Sequence, residues 1–408
     1  MKHFLAYGNS DQASFRMQGV QAAFDYLTVP GTIAAYYPDA TAAFVLSSKL
    51  DYMVDPRTPL FQGQIEIPKA SHFSLADWHG PAVRTRMGSE EERRPVSFTP
   101  SFYTDDVIRS MVDTVVGRQR EYGDRASGIQ EQLDRYQRLA EAAQMAEPAP
   151  AIKEGKRPSF VLLPYFVTDG HDDWRAVNLS IRAYGQQLPE PSTISPVVAV
   201  REVNALDQLL GELPAGLSPT VFFWVDRFDE RDVGVEELRR LAEIVAAHSR
   251  RLALVNLYGG FFSICLSYVR LWGFNNGLGY SESRDWPDLP ATGAAPARYY
   301  MPRLHCFVSP GLGEFITREA PSLACRCEIC QGRSPVSLSY HQLKQHFALA
   351  RKWEIEMVSA RPKGELSAEL IEAADTYLQE IGPVLPAGIG RVNPQYLRRW
   401  ASALNQIA

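Results

Sequence analysis

The stretch TVFFWVDRFDERDVGVEELRRLAEIVAAHSRRLALVNL, residues 220–257, contains one complete strand–helix–strand unit and so decides the fold class. Residues 220–225 form an unbroken run of β-branched and aromatic side chains, which predicts a strand. Residues 235–248 predict an amphipathic helix, and residues 252–257 predict a second strand. Continuous apolar strands that alternate with amphipathic helices are typical of parallel strands covered on both faces. The stretch therefore predicts a parallel α/β sheet.

The same alternation continues on the amino-terminal side of this unit. Residues 159–163 and 196–200 predict strands, and residues 173–184 and 205–212 predict helices. Four such units, with earlier and later strands added, fit a (β/α)8 TIM-like barrel better than a small open sheet. A doubly wound sheet is the alternative.

The composition favours a globular protein without membrane contact. The 408 residues contain 45% apolar and 22% charged side chains, enough for a large core. The formal net charge of −5 gives no general attraction to nucleic acid, so any such contact needs a local basic patch. The most apolar run, residues 252–271, is interrupted by polar residues and glycines, and no secretory leader is expected. Five cysteines, an odd number, do not suggest a disulfide framework, so a cytoplasmic location is expected.

Three of these cysteines, Cys325, Cys327 and Cys330, follow the spacing C-x-C-x-x-C. Thiolates in such a knuckle bind Zn²⁺, and the backbone N–H groups of the knuckle point at the sulfurs. His346 lies within a predicted helix that follows, whereas His341 lies at or before the start of that helix. His346 is the preferred fourth ligand, because a helix holds a ligand more rigidly than a loop end. Four protein ligands leave no open position, so the predicted zinc is structural.

These patterns divide the chain into four predicted segments. They are 1–150, with the first barrel strands and a helical insertion; 151–320, with the remaining barrel units; 321–360, with the zinc knuckle and its helix; and 361–408, a C-terminal helical tail. Within the first segment, residues 42–46 predict a buried strand, and a second strand ends at Asp55. Residues 104–145 predict the helical insertion, followed by a proline-rich linker at 147–151.

The knuckle and the segments near it resemble the tRNA-guanine transglycosylase superfamily, in which a structural zinc site of this kind follows a parallel barrel. The segment GLGYSE, residues 277–282, is similar to the family's glycine-rich segment that ends in a base-contacting glutamate. The segment ARYYMP, residues 297–302, is similar to the strand that comes next, and Asp55 takes the place of the aspartate that serves as general acid/base. The resemblance covers about residues 277–350. It implies exchange of guanine for a 7-deazaguanine in tRNA or DNA.

One part of the family pattern is missing. The family's nucleophilic aspartate lies between the Arg-Tyr strand and the cysteines, but no aspartate occurs from Arg298 to Cys325, where two glutamates are the only carboxylates. Base exchange through a covalent glycosyl intermediate needs one carboxylate that attacks C1′ and a second group that moves protons. Position along the chain therefore does not identify the nucleophile, and Asp226 and Asp55 are the two catalytic candidates.

Both candidates end predicted strands, and active residues of parallel barrels lie where strands end. Asp226 directly follows strand 220–225, although it could instead cap the next helix or pair with Arg227. Asp55 precedes a proline and could be a simple turn former. The acidic cluster at 169–173 could bind a cation or a ribose, but an N-cap for the helix that follows is the preferred interpretation. His305 could act as a base, but a hydrogen-bonded core histidine is preferred.

Two glycine-containing segments supply the predicted substrate contacts. These candidates are Gly259, Gly260, Gly279, Tyr280, Glu282 and Arg284. The first pair follows a strand and allows close backbone approach to a planar base or a phosphate, although such pairs also serve tight turns. In the second segment the tyrosine offers a stacking face, the glutamate an acceptor for a guanine-like edge, and the arginine a partner for phosphate or carboxylate. A solvated surface loop is the alternative.

The sequence thus predicts a zinc-stabilised α/β barrel of transglycosylase type. Its expected partners are nucleic acid, either tRNA or DNA, and a deazapurine base, and a homodimer is left open. A non-catalytic zinc-stabilised barrel that binds nucleic acid or a protein partner is the alternative. A third hypothesis is an unrelated TIM-barrel hydrolase or lyase that uses the acidic cluster at 169–173.

Overall fold

The computed structural model describes residues 1–48, 50–122, 157–279, 282–286, 296–386 and 390–407, with the single positions 131, 134 and 138. Most strands in these ranges belong to one sheet of ten strands, in which all neighbours are parallel. These strands are β1 (Lys2–Ala6), β2 (Tyr26–Pro30), β3 (Asp51–Asp55), β6 (Phe160–Leu162), β7 (Val167–Thr168), β8 (Ile194–Ser195), β9 (Val197–Val200), β10 (Thr220–Val225), β11 (Ala253–Asn256) and β12 (Gly273–Gly277). Two small antiparallel pairs join β4 (Gly63–Ile65) to β5 (Val96–Phe98) and β13 (Tyr299–Met301) to β14 (Cys306–Val308).

The large sheet curls into a half-barrel. Its strand order is β7-β9-β10-β11-β12-β1-β2-β3-β6-β8. The two edges of the sheet are connected by a single residue of the chain, Pro196, which lies between β8 and β9. β8 pairs with β6 near one edge, and β9 pairs with β10 near the other. The carbonyl of Pro196 accepts the N–H of Phe222 at 3.1 Å. The carboxyl ends of the parallel strands therefore share one edge, called here the carboxyl rim: the residues that follow β3, β10, β11 and β12.

The described residues also form fourteen α-helices. They are α1 (Gln12–Phe15), α2 (Gly31–Tyr36), α3 (Pro38–Ser47), α4 (Ala70–His79), α5 (Pro81–Met87), α6 (Asp105–Arg120), α7 (Asp173–Gly185), α8 (Val203–Gly211), α9 (Val235–His248), α10 (Phe261–Cys265), α11 (Pro310–Glu319), α12 (Tyr340–Ala360), α13 (Lys363–Thr376) and α14 (Gln395–Gln406). Apolar side chains from non-adjacent strands, among them Phe4, Met53, Phe222 and Val255, form a separate cluster, as the inside of a curled sheet requires. Among the described residues, no helix is both long and apolar enough to cross a membrane.

The structure confirms the parallel α/β prediction and corrects one element. The unit at 220–257 forms β10, α9 and β11, with the predicted bounds for β10 and α9. The prediction of a strand at 42–46 is wrong, because these residues lie in α3. Every side chain from 41 to 47 is buried, so this helix has no polar face that would reveal its period. Of the predicted insertion at 104–145, α6 is a helix, while most of the rest and the linker at 147–151 lie outside the described residues.

Candidate functional site

Four side chains from two segments form a cluster suited to one tetrahedral metal ion. The ligand atoms of Cys325, Cys327, Cys330 and His346 all lie within 4.8 Å of one another. The Nδ1 atom of His346 is 3.9, 3.3 and 3.5 Å from the three sulfurs, in chain order. Metal–sulfur bonds of about 2.3 Å and metal–nitrogen bonds of about 2.0 Å give tetrahedral sulfur–nitrogen edges of about 3.5 Å, so the four ligands fit one ion. As predicted, knuckle N–H groups point at sulfurs: those of Cys327 and Cys330 each lie 3.4 Å from the sulfur of the preceding cysteine.

The imidazole of His346 is oriented for metal binding by its surroundings. Its Nε2 lies 2.7 Å from the carbonyl oxygen of Tyr300, and a carbonyl only accepts, so Nε2 carries the proton. Nδ1 is then left with a lone pair that faces the sulfurs. The ring of Tyr299 stacks on the imidazole with centroids 4.8 Å apart. His341, the alternative ligand, lies elsewhere, with its Nδ1 2.8 Å from the hydroxyl of Ser14.

The helix that carries His346, α12, also carries a buried ionic network. Arg351 and Glu354 are both fully buried. Arg351 donates from Nη1 to Glu354 at 2.9 Å and from Nη2 to Glu282. One helix therefore connects the metal cluster to the loop that follows β12 and fixes the carboxylate of Glu282.

The remaining bonds of Glu354 explain His305. Its Oε1 accepts the hydroxyl of Tyr300 at 2.8 Å and lies 2.5 Å from Nδ1 of His305. The His305 ring also stacks on Phe261, with centroids 3.4 Å apart, and burial lowers its pKa. His305 is thus a hydrogen-bonded core histidine, the preferred interpretation of the sequence.

Asp55 lies buried at the carboxyl rim, where β3 ends. Its Oδ1 accepts the hydroxyl of Tyr165 at 2.8 Å and the backbone N–H of Arg57 at 3.1 Å. Its Oδ2 is 2.6 Å from Nε of Arg57, whose guanidinium is also buried. Arg57 has a φ of 56°, in the left-handed region that few non-glycine residues adopt, and the turn aims its side chain back at Asp55. Asp55 is therefore more than a turn former: it anchors a buried arginine and a buried tyrosine.

Asp226 lies at the end of β10 and opens onto a surface pocket of about 430 Å³. Its side chain is 7% exposed. Oδ1 accepts the backbone N–H of Trp286 at 2.8 Å, while Oδ2 is 3.9 Å from Nε of Arg227. Burial raises the pKa of Asp226, and the charge of the nearby Asp285 raises it further. The hydrogen bond from the backbone N–H of Trp286 acts in the opposite direction and lowers this pKa. Asp226 thus has one oxygen held by a backbone donor and one with only a distant ion pair.

An aromatic group built on Tyr258 is linked to both aspartates through neighbouring residues. Its ring is 5.3 Å from that of Trp224. Two guanidinium groups lie over the Tyr258 ring, that of Arg57 at 5.9 Å and that of Arg284 at 5.7 Å. The backbone carbonyl of Arg284 accepts the N–H of Arg227 at 2.9 Å, which ties the loop after β12 to the end of β10. The loops that follow β3, β10, β11 and β12 thus converge in one place. We call Tyr258, Trp224, Arg57 and Arg284 the Tyr258 group.

The two glycines after β11 lie where side chains would collide. A Cβ atom on Gly260 would lie 2.8 Å from Oε2 of Glu230 and 3.3 Å from Oε2 of Glu282, and one on Gly259 would lie 2.4 Å from Oγ of Ser263. These glycines therefore make room for protein side chains, two of them carboxylates. Whether they also contact a substrate stays a prediction.

Glu230 was not singled out from the sequence. It is buried, and its carboxylate accepts the N–H groups of Phe262 at 2.8 Å and Ser263 at 3.0 Å, together with the Ser263 hydroxyl at 2.5 Å. Burial raises the pKa of Glu230 to about 7, with a further contribution from Glu282 and opposition from its donors. Its place in the chain, four residues after the strand-end Asp226, gave no local signal, because its partners come from the next strand–helix connection.

The raised pKa of Glu230 predicts a measurable pH dependence of stability. A carboxyl whose folded pKa lies above its unfolded value stabilises the fold fully below the unfolded pKa of 4.5, and this contribution is lost as pH rises through about 7. We expect about 3 kcal/mol to be lost between pH 4.5 and 8. His3, His72 and His79, whose pKa values burial lowers to about 4, act in the opposite direction.

The measurement is therefore the difference in unfolding free energy between wild type and Glu230→Gln at pH 5, 6, 7 and 8. The difference in unfolding free energy between wild type and Glu230→Gln should change steadily with pH. The unfolding free energy of the exposed control Glu66→Gln should instead follow that of wild type at every pH. Parallel curves for Glu230→Gln and wild type would show that Glu230 does not titrate in this window.

The remaining predicted residues are placed as follows. Gly279 has a φ of +95° and lies against Lys344, whose ammonium is paired with Asp11 in the core. Tyr280 lies outside the described residues. Within the acidic cluster, Asp172 caps α7 and Asp169 accepts two backbone N–H groups of its own turn, which agrees with the capping interpretation.

The fold and the site define the class: an α/β protein with a curled parallel sheet and a Cys3His cluster that fits a metal ion. Among the described residues this is the only group of three or more potential ligands that is close enough to share an ion. No protein-family model, curated protein or solved structure matches the chain.

Proposed function

We propose that this chain exchanges a purine base within a nucleic acid, guanine for a 7-deazaguanine, by a transglycosylase-type reaction. One observation carries the proposal: Asp55 and Asp226 lie on the same carboxyl rim, and each is linked to the Tyr258 group, Asp55 through Arg57 and Asp226 through the loop that carries Arg284. Breaking a glycosidic bond through a covalent intermediate requires two groups with different roles, a nucleophile and a proton carrier. The different environments of the two aspartates support such a division.

The Tyr258 group supports a planar, aromatic ligand. Bases that are splayed out of a strand stack on aromatic rings and on guanidinium planes. Tyr258 is flanked by both kinds of surface, with Trp224 on one side and the guanidinium groups of Arg57 and Arg284 over its ring. Among the described residues, Nη1 of Arg57 is buried without a hydrogen-bond partner, so it has a donor to offer to a base carbonyl or a phosphate.

Asp226 is the better nucleophile of the two. Both oxygens of Asp55 are occupied, by Tyr165 and Arg57, whereas Oδ2 of Asp226 has only the arginine at 3.9 Å. In the proposed first step this carboxylate attacks C1′ as the C1′–N9 bond breaks, and the electron pair leaves with guanine, whose N9 takes up a proton. In the second step the incoming base loses its N9 proton, bonds to C1′ and releases the carboxylate. Asp55, with the Tyr165 hydroxyl, handles the proton in both steps.

The metal in this proposal is zinc with a structural role. Three thiolates and one imidazole are the ligands that zinc prefers in closed tetrahedral sites. Zinc there would hold the knuckle against α12 and so keep Arg351 and Glu354 in place to fix Glu282. The chemistry is left to the aspartates.

We also infer that the sheet closes into a (β/α)8 barrel. If residues 194–200 form one strand bent at Pro196, that strand pairs with β6 on one side and β10 on the other. β6 and β7 then count as a single strand, and eight strands complete a ring. A closed barrel places the strand-end aspartates around one opening, which is the arrangement that the exchange reaction needs.

Incubation of the full-length protein with radiolabelled guanine and either tRNA or DNA tests the function. We expect label to enter one of the two polymers, and added 7-deazaguanine to compete for incorporation. A gel shift without incorporation would instead support the non-catalytic nucleic-acid-binding alternative.

A further inference from the structure

A second pocket, of about 440 Å³, lies between the loop that follows β10 and the start of α14. Its charged lining consists of Arg231, Arg391 and Arg399 with a single acid, Asp232. The geometry points to a phosphate-binding pocket at this position, separate from the Tyr258 group. The proposal does not depend on the exchange reaction, because the pocket is defined by its own arginines.

Each arginine has donors left for a ligand. Arg231 is oriented by a bidentate pair with Asp229, from Nε at 3.1 Å and from Nη2 at 2.8 Å, and this uses only two of its five N–H groups. Arg399 donates from Nη2 to the backbone carbonyl of Arg231, while its Nε is buried without a hydrogen-bond partner among the described residues. Arg391 is exposed and has no ion-pair partner in the described part of the chain. Fixed and incompletely used guanidinium groups are the usual means of phosphate recognition.

The charge balance distinguishes this pocket from the one at Asp226. That pocket is similar in volume, about 430 Å³, but its four arginines are matched by four acids. Here three arginines face one acid, in a chain whose net charge is −5. Asp229 is counted against Arg231, and Glu282, which also acts on Arg231, is counted against its own partner Arg351. An excess of positive charge remains, so an anion is the ligand that the pocket favours.

The backbone adds to this preference. Helix α14 has 12 residues and begins at the pocket, where Asn393 and Tyr396 contribute to the lining. The positive dipole end of a helix N-terminus favours phosphate oxygens, while two of the first N–H groups of α14, those of Gln395 and Leu397, already donate to Asn393 and Pro394. The neighbouring Arg398 lies outside the lining and is instead paired with Asp375. The sequence shows no basic run at Arg391, Arg398 and Arg399. The fold places Arg391 and Arg399 in the pocket together with Arg231, which comes from a loop distant in sequence.

Phosphate could come from a nucleic-acid backbone or from a free phosphate, and two measurements distinguish the sources. The first is fluorescence anisotropy of a labelled single-stranded oligonucleotide with the full-length protein. Relative to wild type, Arg391→Gln/Arg399→Gln should bind about tenfold more weakly at 0.1 M salt, and the slope of log K against log salt should fall by about 1.4, the value for two phosphate contacts on a single strand.

The second measurement is the Tm in 10 mM inorganic phosphate compared with chloride at equal ionic strength. Wild type should gain about 2 °C and the double variant should gain nothing. Loss in the oligonucleotide measurement identifies backbone phosphate as the ligand, and loss in the inorganic phosphate measurement alone identifies a free phosphate; either result supports the pocket.

Arg398→Gln is the matched control, because it removes an adjacent arginine that is already paired with Asp375. It should behave as wild type in both measurements. Arg391→Gln alone changes only an exposed side chain, so it guards against loss of folding and should weaken oligonucleotide binding about threefold. The proposal is overturned if wild type binds neither probe, or if the double variant matches wild type and Arg398→Gln in both.

Discussion

Replacing Asp226 with asparagine is expected to reduce guanine incorporation by at least about a thousandfold, because an amide cannot attack C1′. The fold should survive the change. Asparagine still offers an oxygen to the backbone N–H of Trp286, and the substitution removes a charge from a largely buried position where burial already raises the pKa. Initial rates of incorporation, with the Tm measured in parallel, test this expectation. A rate above about a tenth of wild type would place the nucleophile elsewhere.

Two further aspartates show whether the loss is specific. Asp169→Asn changes an acid that also follows a strand but whose carboxylate serves only its own turn, so its rate should stay within about twofold of wild type. Asp55→Asn should lose activity together with stability, since it leaves the buried guanidinium of Arg57 without its counter-charge. Loss of incorporation in Asp169→Asn with none in Asp226→Asn would place the chemistry at the acidic cluster instead.

The sequence predicted the elements whose structure depends on residues close together in the chain. The strand and helix at 220–225 and 235–248 were predicted because an apolar run and an amphipathic repeat each identify their own element. The cysteine spacing predicted the knuckle, and the position of His346 within the predicted helix made it the preferred fourth ligand over His341. The strand prediction for residues 42–46 was wrong because α3 is buried on all sides, and a short apolar run without a polar face fits a strand equally well.

Contacts across the fold were not predictable from one sequence. The Tyr165 hydroxyl reaches Asp55 from 110 positions away, and Arg351 reaches Glu282 from 69 positions away. Nothing in either local segment specifies the other, since the curl of the sheet brings them together. The left-handed turn at Arg57 could not be predicted either, because arginine is not a residue type that indicates a positive φ. The two aspartates could be identified from the sequence because each lies at the end of a predicted strand. The side chains that give them different environments could be identified only from the structure.

Removal of the metal is expected to cost this protein about 10 °C or more in Tm, because closed zinc sites contribute folding free energy directly. Cys327→Ser and His346→Ala should each lose bound zinc and show this decrease, and a chelator should lower the Tm of wild type but not of the variants. The structural reason lies in α12. Without the ion, three thiol groups and a buried imidazole lose their shared partner at one end of the helix that fixes Arg351 and Glu354.

His341→Ala is the matched control for this experiment. His341 lies on the same helix, bonds to Ser14 and takes no part in the cluster, so its zinc content and Tm should stay close to wild type, within about 2 °C. Elemental analysis should find about one zinc per chain in wild type and in this variant. Wild type purified without any metal, at an unchanged Tm, would contradict the site.

Cobalt substitution separates a structural ion from a catalytic one. Because the four protein ligands complete a tetrahedron, Co²⁺ in their place should give the absorption of a tetrahedral thiolate site and leave the rate of guanine exchange within about twofold. An ion that activated water or a carbonyl would instead change the rate and its pH profile when the metal changes. In the Cys327→Ser and His346→Ala variants, exchange activity should fall at least in proportion to the folded fraction, because the proposed zinc would act on the predicted base-contacting Glu282 through α12 and on no reacting atom.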